Sequence, residues 1–170
     1  GLTSTNWNTV TNWQHEIVPG VDDNVTIPSG CPNYPEITSA LVVDTNSYGS
    51  YYCNGLEIQP SASFSTTAPI HLNGNVKIGG TYTATMNGNN ANRIYGKGEL
   101  TVLPTGMAIF GNQASVSGIT DLLVYDGGVL TVDGGTLHID DQLHIYDGGT
   151  LNMPDGELWV HKFGYGTSLS

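Results

Sequence analysis

The chain has 170 residues, 15 acidic against four basic side chains for a net charge of −11, and 23 glycines. A surface so short of cations offers no footprint for a phosphate backbone, which argues against nucleic acid and against docking on an anionic membrane. No apolar run approaches the ~20 residues that span a bilayer as a helix, so no membrane insertion is expected, and the Gly-, Thr- and Asn-rich composition suits strands and tight turns.

Residues 1–37 follow no repeat. They carry Trp7 and Trp13, then Ile17-Val18-Pro19-Gly20, Asp22-Asp23-Asn24 and the apolar-x-apolar unit Val25-Thr26-Ile27. Ahead of a stack of strands two large aromatics suit a cap, because an uncovered strand edge pairs with whatever strand it meets. The same indoles, with Tyr48, Tyr51 and Tyr52 further on, are also the candidates for stacking against sugar rings; burial or exposure separates the two readings. Cys31 and Cys53 lie about one repeat apart, and are expected to form a disulfide between the cap and the first coils.

From residue 38 the chain is periodic. Leu56-Glu57-Ile58, Val76-Lys77-Ile78, Leu100-Thr101-Val102, Leu122-Leu123-Val124 and Leu143-His144-Ile145 follow one another at nearly even intervals. In each, the outer residues point one way and the middle one to solvent, the period of two that marks a strand. The longest interval, from Val76 to Leu100, places an insertion near 79–98, which holds Arg93, the single arginine. The clearest echo carries 122–130 onto 143–151, with an Asp-Gly-Gly turn in both, and aspartates recur every seven residues at 126, 133, 140 and 147. Three seven-residue sides per coil predict an all-β fold: a single domain over 1–170, a three-sided parallel β-solenoid of about 21 residues per coil, with an N-terminal cap and one disulfide.

Aspartates at equivalent corners of adjacent coils approach within about one strand spacing, ~4.8 Å, and calcium bridges such carboxylates well. Asp126 and Asp147, Asp140 and Asp141, and Asp22 and Asp23 are the candidate calcium ligands, although Asp-Gly is also simply a good turn pair. No other cofactor is expected. His138, His144 and His161 read as surface histidines, since no three or four ligands converge at zinc spacing. Glu57 and Lys77 are expected to face each other as an exposed ion pair. The chain ends in Trp159, Phe163, Tyr165 and Leu169 without a charged cap, an expected face for end-to-end pairing with another copy.

Asn6-Trp7-Asn8, Asn12-Trp13, Val18-Pro19, Asp23-Asn24-Val25-Thr26-Ile27-Pro28 and Pro32-Asn33-Tyr34-Pro35-Glu36-Ile37 resemble the opening of β-solenoid modules in large secreted surface proteins of Bacteroidetes. The repeats from Leu56 onward are similar to theirs, and the start is more distantly similar to the G8-type extracellular module. The resemblance implies an extracellular or cell-surface place and carries over no catalytic residue. The expected function is a non-catalytic structural or adhesive protein, a filament subunit whose partner is itself. The alternatives are a carbohydrate-binding module, with an extracellular glycan as partner, and a polysaccharide-cleaving enzyme, which would need two carboxylates facing a groove.

Overall fold

The computed structural model describes residues 3–38, 41–44, 47–49, 51–85, 93–96, 98–111 and 114–163, with the backbone alone for 41–44, 47–49, 93–96, 134–135, 140 and 162–163. Apart from 3-10 turns at Val10–Asn12 and Gln14–Glu16, every element among them is a strand, and the chain winds round three parallel faces. The first face stacks Val25–Ile27, Leu56–Ile58, Val76–Ile78 and Leu100–Val102, then the ends of Ser115–Val124 and Val129–Ile145. The second stacks Glu36–Ile37, Ser63–Thr66, Thr81–Ala84 and Met107–Gly111, then the starts of Val129–Ile145 and Thr150–Phe163. The third stacks Tyr51–Cys53, Ile70–Leu72 and Arg93–Gly96, then the start of Ser115–Val124 and the middles of the two last strands. These long strands turn corners without leaving the ladder, and register shifts mark the corners. The fold is the three-sided parallel solenoid that the repeat predicts.

Register places like over like. Val25, Leu56, Val76, Leu100, Leu122 and Leu143 form one inward column on the first face, and all six are buried. The outward column between them runs through Thr26, Glu57 and Lys77, all exposed, with Glu57 opposite Lys77. Thr101 departs from the pattern at 5% exposure, its hydroxyl donating to Glu99 Oε1 at 2.5 Å. Behind the second face the filling is aromatic. Phe64 and Tyr82 stack at 5.3 Å with planes 10° apart, and Phe110 meets Tyr82 edge-on at 5.9 Å. The Tyr82 hydroxyl is buried without a hydrogen-bond partner, and burial pushes the phenol well above its ordinary value.

The coils begin earlier than the repeat suggests. Val25–Ile27 and Glu36–Ile37 pair with the next coil as regular rungs, so the non-repeating cap ends before Val25. That first coil is also long: Val25 finds its partner only at Leu56, whereas Leu56 already finds its own at Val76. An antiparallel pair, Leu41–Asp44 with Ser47–Gly49, is inserted between its second and third faces. At 79–98, by contrast, Thr81–Ala84 and Arg93–Gly96 both keep register with their neighbours, so the extra residues fall in the chain between those two strands.

The long first coil also overturns the expected disulfide: Cys31 and Cys53 are both free. Their spacing equals one coil only where the coil is as short as the later ones. One coil before Cys53 the chain is near Asp23, whose carbonyl accepts from Asn54 N at 2.7 Å. Cys31 instead lies past the following corner, while Cys53 points into the core of the third face with no exposed surface. Burial pushes the Cys53 thiol up to about 12. Since the thiolate is the reactive form, an alkylating reagent at pH 8 is expected to label Cys31 in the native protein and Cys53 only on unfolding, read by mass spectrometry. A protein that takes no label until a reductant is added would show the sulfurs joined. The fold favours the neutral Cys53 thiol, so that contribution to stability is full below the ordinary value of 9.0 and is lost as pH rises towards about 12.

Candidate functional site

The N-terminal end is closed over the second face and open over the first. Glu36 N donates to Thr5 O at 2.6 Å and Trp7 N donates to Glu36 O at 3.2 Å, so residues 5–7 add a short rung beside Glu36. This register swings the Trp7 indole over the core, where it is 1% exposed and lies 5.3 Å from Phe64. Trp13 packs against it edge-on at 4.7 Å, and its Nε1 donates to Trp7 O at 2.6 Å. The loop between them is held by Asn12, whose Oδ1 accepts from Thr3 N and Ser4 N at 3.1 and 3.0 Å. Burial assigns Trp7 to the cap, and it offers no face to a sugar.

Over the first face no such rung exists among the described residues. In its place a half-open groove of about 490 Å³ runs along Val25–Ile27, walled by Trp13, His15, Ile17, Pro19, Pro28 and Pro32. Val25 N donates to Gly55 O and Ile27 O accepts from Gln59 N. Hydrogen-bonding direction alternates along a strand, so the N–H and C=O of Thr26 face the other way, towards the open edge. His15, in the wall, and Glu16 after it hold φ of 68° and 55°, left-handed conformations that cost non-glycine residues about 1–3 kcal/mol each. Asp22 and Asp23 stand exposed at the corner leading into this strand, and Asp23 Oδ2 accepts from Gly20 N at 2.8 Å to close a turn.

At the opposite end, Thr150–Phe163 pairs only with Val129–Ile145 among the described residues. Its inward side chains Leu151, Leu158 and Val160 are half-buried, whereas their partners one coil back, Leu130, Leu137 and Ile139, are wholly buried. Trp159 is not one of the inward residues. It projects from the third face, 59% exposed, with Nε1 donating to Glu157 Oε2 at 3.3 Å. Lys162 and Phe163 begin a further first-face rung opposite Gln142 and Leu143; Tyr165 and Leu169 lie outside the described residues.

The walls carry ring ladders that the sequence reading did not single out. Tyr125 and Tyr146 stack at 4.6 Å and 7°, one coil apart, and both sit beside the Asp-Gly-Gly turn in the quoted echo. Tyr52 stacks on His71 at 4.8 Å and 24°. Rings stacked at coil spacing cover each other's faces and present edges, whereas a pyranose packs on a free face. Tyr51 turns inward at 5% exposure, its hydroxyl accepting from Asn8 Nδ2 at 3.1 Å. Tyr48 lies on the inserted antiparallel pair, opposite Val42.

The four evenly spaced aspartates occupy three different corners. Asp126 and Asp147 share the corner between the first and second faces, Asp133 stands opposite Asp155 at the next, and Asp140 and Asp141 sit where the register shifts before the first face. Asp126 Oδ1 lies where a Cβ on Gly148 would fall, 1.9 Å from that point, so its carboxylate packs over the glycine of the next turn. No three His, Cys, Asp or Glu side chains among the described residues are grouped to hold a metal. A calcium ion between Asp126 and Asp147 would thus take its other ligands from carbonyls or water. His144 Nε2 lies 2.6 Å from Gln142 Oε1, a bond along the wall, and His138 and His161 are exposed.

No protein-family model matches the chain, and no curated protein or solved structure matches it. What the chain does must be read from its own surfaces, and among these the two unlike ends stand out: a groove on an open strand edge, and a last coil whose core residues are half-covered.

Proposed function

We propose that the chain is a non-catalytic extracellular structural and adhesive rod that joins end to end with further copies of itself through strand pairing. The observation that supports this reading is the pair of unlike ends. Contacts between two different surfaces of identical subunits form a ring if the rotation between copies closes and a filament if it does not, and surfaces at opposite ends of a rod favour the filament. Covering the last coil removes Leu151, Leu158 and Val160 from water, and fully burying one such side chain is worth about 1.5–3 kcal/mol. The extracellular place rests on the resemblance of residues 6–37 and the following repeats to Bacteroidetes surface modules.

Negative-stain microscopy over a concentration series, with and without calcium, tests the proposal. Unbranched fibres one solenoid wide are expected; discrete single-chain particles at the highest concentration in calcium would overturn it. One observation favours a second reading, carbohydrate binding: Trp13 is only half-buried and shares the groove wall with Gln14 and His15. Discrete particles that bind a glycan panel and lose it on Trp13→Ala would put that reading first.

A further inference from the structure

We propose that Tyr125 and Tyr146 are an oxidative cross-linking site, at which a peroxidase with hydrogen peroxide joins the two rings by a carbon–carbon bond and so stitches one coil to the next. The site lies within one chain and stands whether or not copies join end to end.

The backbone presents the two rings in the same way. Each tyrosine follows a first-face strand and precedes Asp-Gly-Gly, and the hydrogen bonds around it repeat from coil to coil. Tyr125 N donates to Val102 O and Tyr146 N to Val124 O, both at 2.9 Å. Gly128 N donates to Tyr125 O at 2.8 Å, and Gly149 N to Tyr146 O at 2.9 Å. Like frames one strand spacing apart hold like side chains in parallel. The ring centroids are 4.6 Å apart and the planes 7° from parallel. The two hydroxyls share a hydrogen bond, so the rings stack head to head, and the carbons ortho to one oxygen lie beside those ortho to the other. Partial burial, then the Tyr146 phenol, then Glu99 raise the Tyr125 phenol above its ordinary value, so it carries its proton at neutral pH.

This arrangement suits radical coupling. Oxidation takes one electron and the hydroxyl proton from each phenol; the peroxide accepts both electrons and both protons and becomes two waters. Each phenoxyl radical carries part of its spin on the ortho carbons. Two such carbons bond through their ring faces, the direction in which these rings already meet. Each joined carbon then gives up its hydrogen as a proton while its ring oxygen regains one, which restores both aromatic rings. The product is the same chain less two hydrogens. A well-oriented partner in the same molecule acts at an effective concentration on the order of 10⁵ M or more, so coupling within the chain outruns coupling between chains.

The pair is also open to an oxidant. Tyr146 is 41% exposed and Tyr125 is half-buried. Other described tyrosine side chains are placed differently. Tyr82 is buried in the core and Tyr51 is turned inward, and Tyr52 lies on His71. The Tyr34 hydroxyl is held between Gly30 N and Ser61 O at 3.1 and 3.0 Å.

A peroxidase with limiting peroxide, acting on the purified chain at low concentration, tests the site. Intact mass is expected to fall by two hydrogens without covalent dimers, and the blue fluorescence of dityrosine should appear. Cleavage before aspartate releases 121–125 and 141–146 as separate peptides; after oxidation they should run as one. Tyr125→Phe and Tyr146→Phe keep the rings and remove only a hydroxyl, and each should abolish the mass loss. The bond closes a loop of one coil in the unfolded chain, so it should raise the melting temperature of the wild type and leave both variants unmoved. Circular dichroism checks that all three share the solenoid fold. An unchanged mass under conditions that couple free tyrosine, covalent dimers as the main product, a bond mapped to other tyrosines, or a mass loss that survives in either variant would overturn the site.

Discussion

Replacing Trp7 by alanine is expected to cost about 3–5 kcal/mol, the largest loss of any single side chain in the cap. Trp7 is 1% exposed and forms the lid of the core, in contact with Phe64 on one side and Trp13 on the other. Truncation would remove the lid and strip Trp13 of the ring that it packs on, leaving the interior of the first coil facing water. The Trp7 Nε1 is buried without a hydrogen-bond partner, so its loss recovers only part of that cost. For a chain of this size the change corresponds to a fall in melting temperature on the order of 10 °C. The comparison is Trp159→Ala, whose ring is 59% exposed and whose removal should stay within about 0.5 kcal/mol. Urea unfolding of the two variants checks the assignment; equal losses would mean that Trp7 is not the cap.

Gly106→Ala is expected to cost about 3 kcal/mol or more, through overpacking at a point where nothing can yield. A Cβ at 106 would fall 1.9 Å from Ile78 O and 2.9 Å from Leu103 O. Both are backbone atoms, the first in the coil stacked against it, so relief requires prising two coils apart and loosening the ladder from Gly80 O to Met107 N. Gly30 provides the contrast. Its φ is 74° but an added Cβ would meet nothing within 4 Å, so Gly30→Ala should cost only the left-handed penalty of roughly 1 kcal/mol. Denaturant midpoints of the pair separate close coil stacking from backbone conformation. Should Gly106→Ala be the milder of the two, the coils would not be as closely stacked at that corner as described.

The parts of the molecule that repeat were legible in one dimension because stacking in register converts sequence period directly into spatial neighbourhood. Leu56, Val76, Leu100, Leu122 and Leu143 announce their shared column by spacing alone, and the aspartates at 126, 133, 140 and 147 mark the corners of a three-sided coil. The same logic failed where the period changed. The disulfide expected between Cys31 and Cys53 assumed that one coil of ordinary length separates them. The first coil instead runs from Val25 all the way to Leu56 before it stacks on itself, which puts the two thiols at unlike corners. Val25-Thr26-Ile27 was visible as a strand, yet its place in the first coil was hidden by the inserted antiparallel pair at 41–49.

By itself, the sequence determined the fold class, the winding into three faces, the direction in which most rung residues point, and the absence of a cationic surface. Each follows from local chemistry repeated at a constant interval: alternation places side chains, and Gly-containing turns place corners. Only the tertiary structure decided the fates of individual aromatics. Trp7 is buried and Trp159 exposed, and Tyr51 is inward and Tyr52 outward, because each depends on which strand passes beside it. It also decided what the ends look like. Whether an edge is covered depends on where a non-repeating segment folds back, and residues 5–7 settle on the second face and leave the first open because register at Glu36 carries Trp7 over Phe64 at the end of the core.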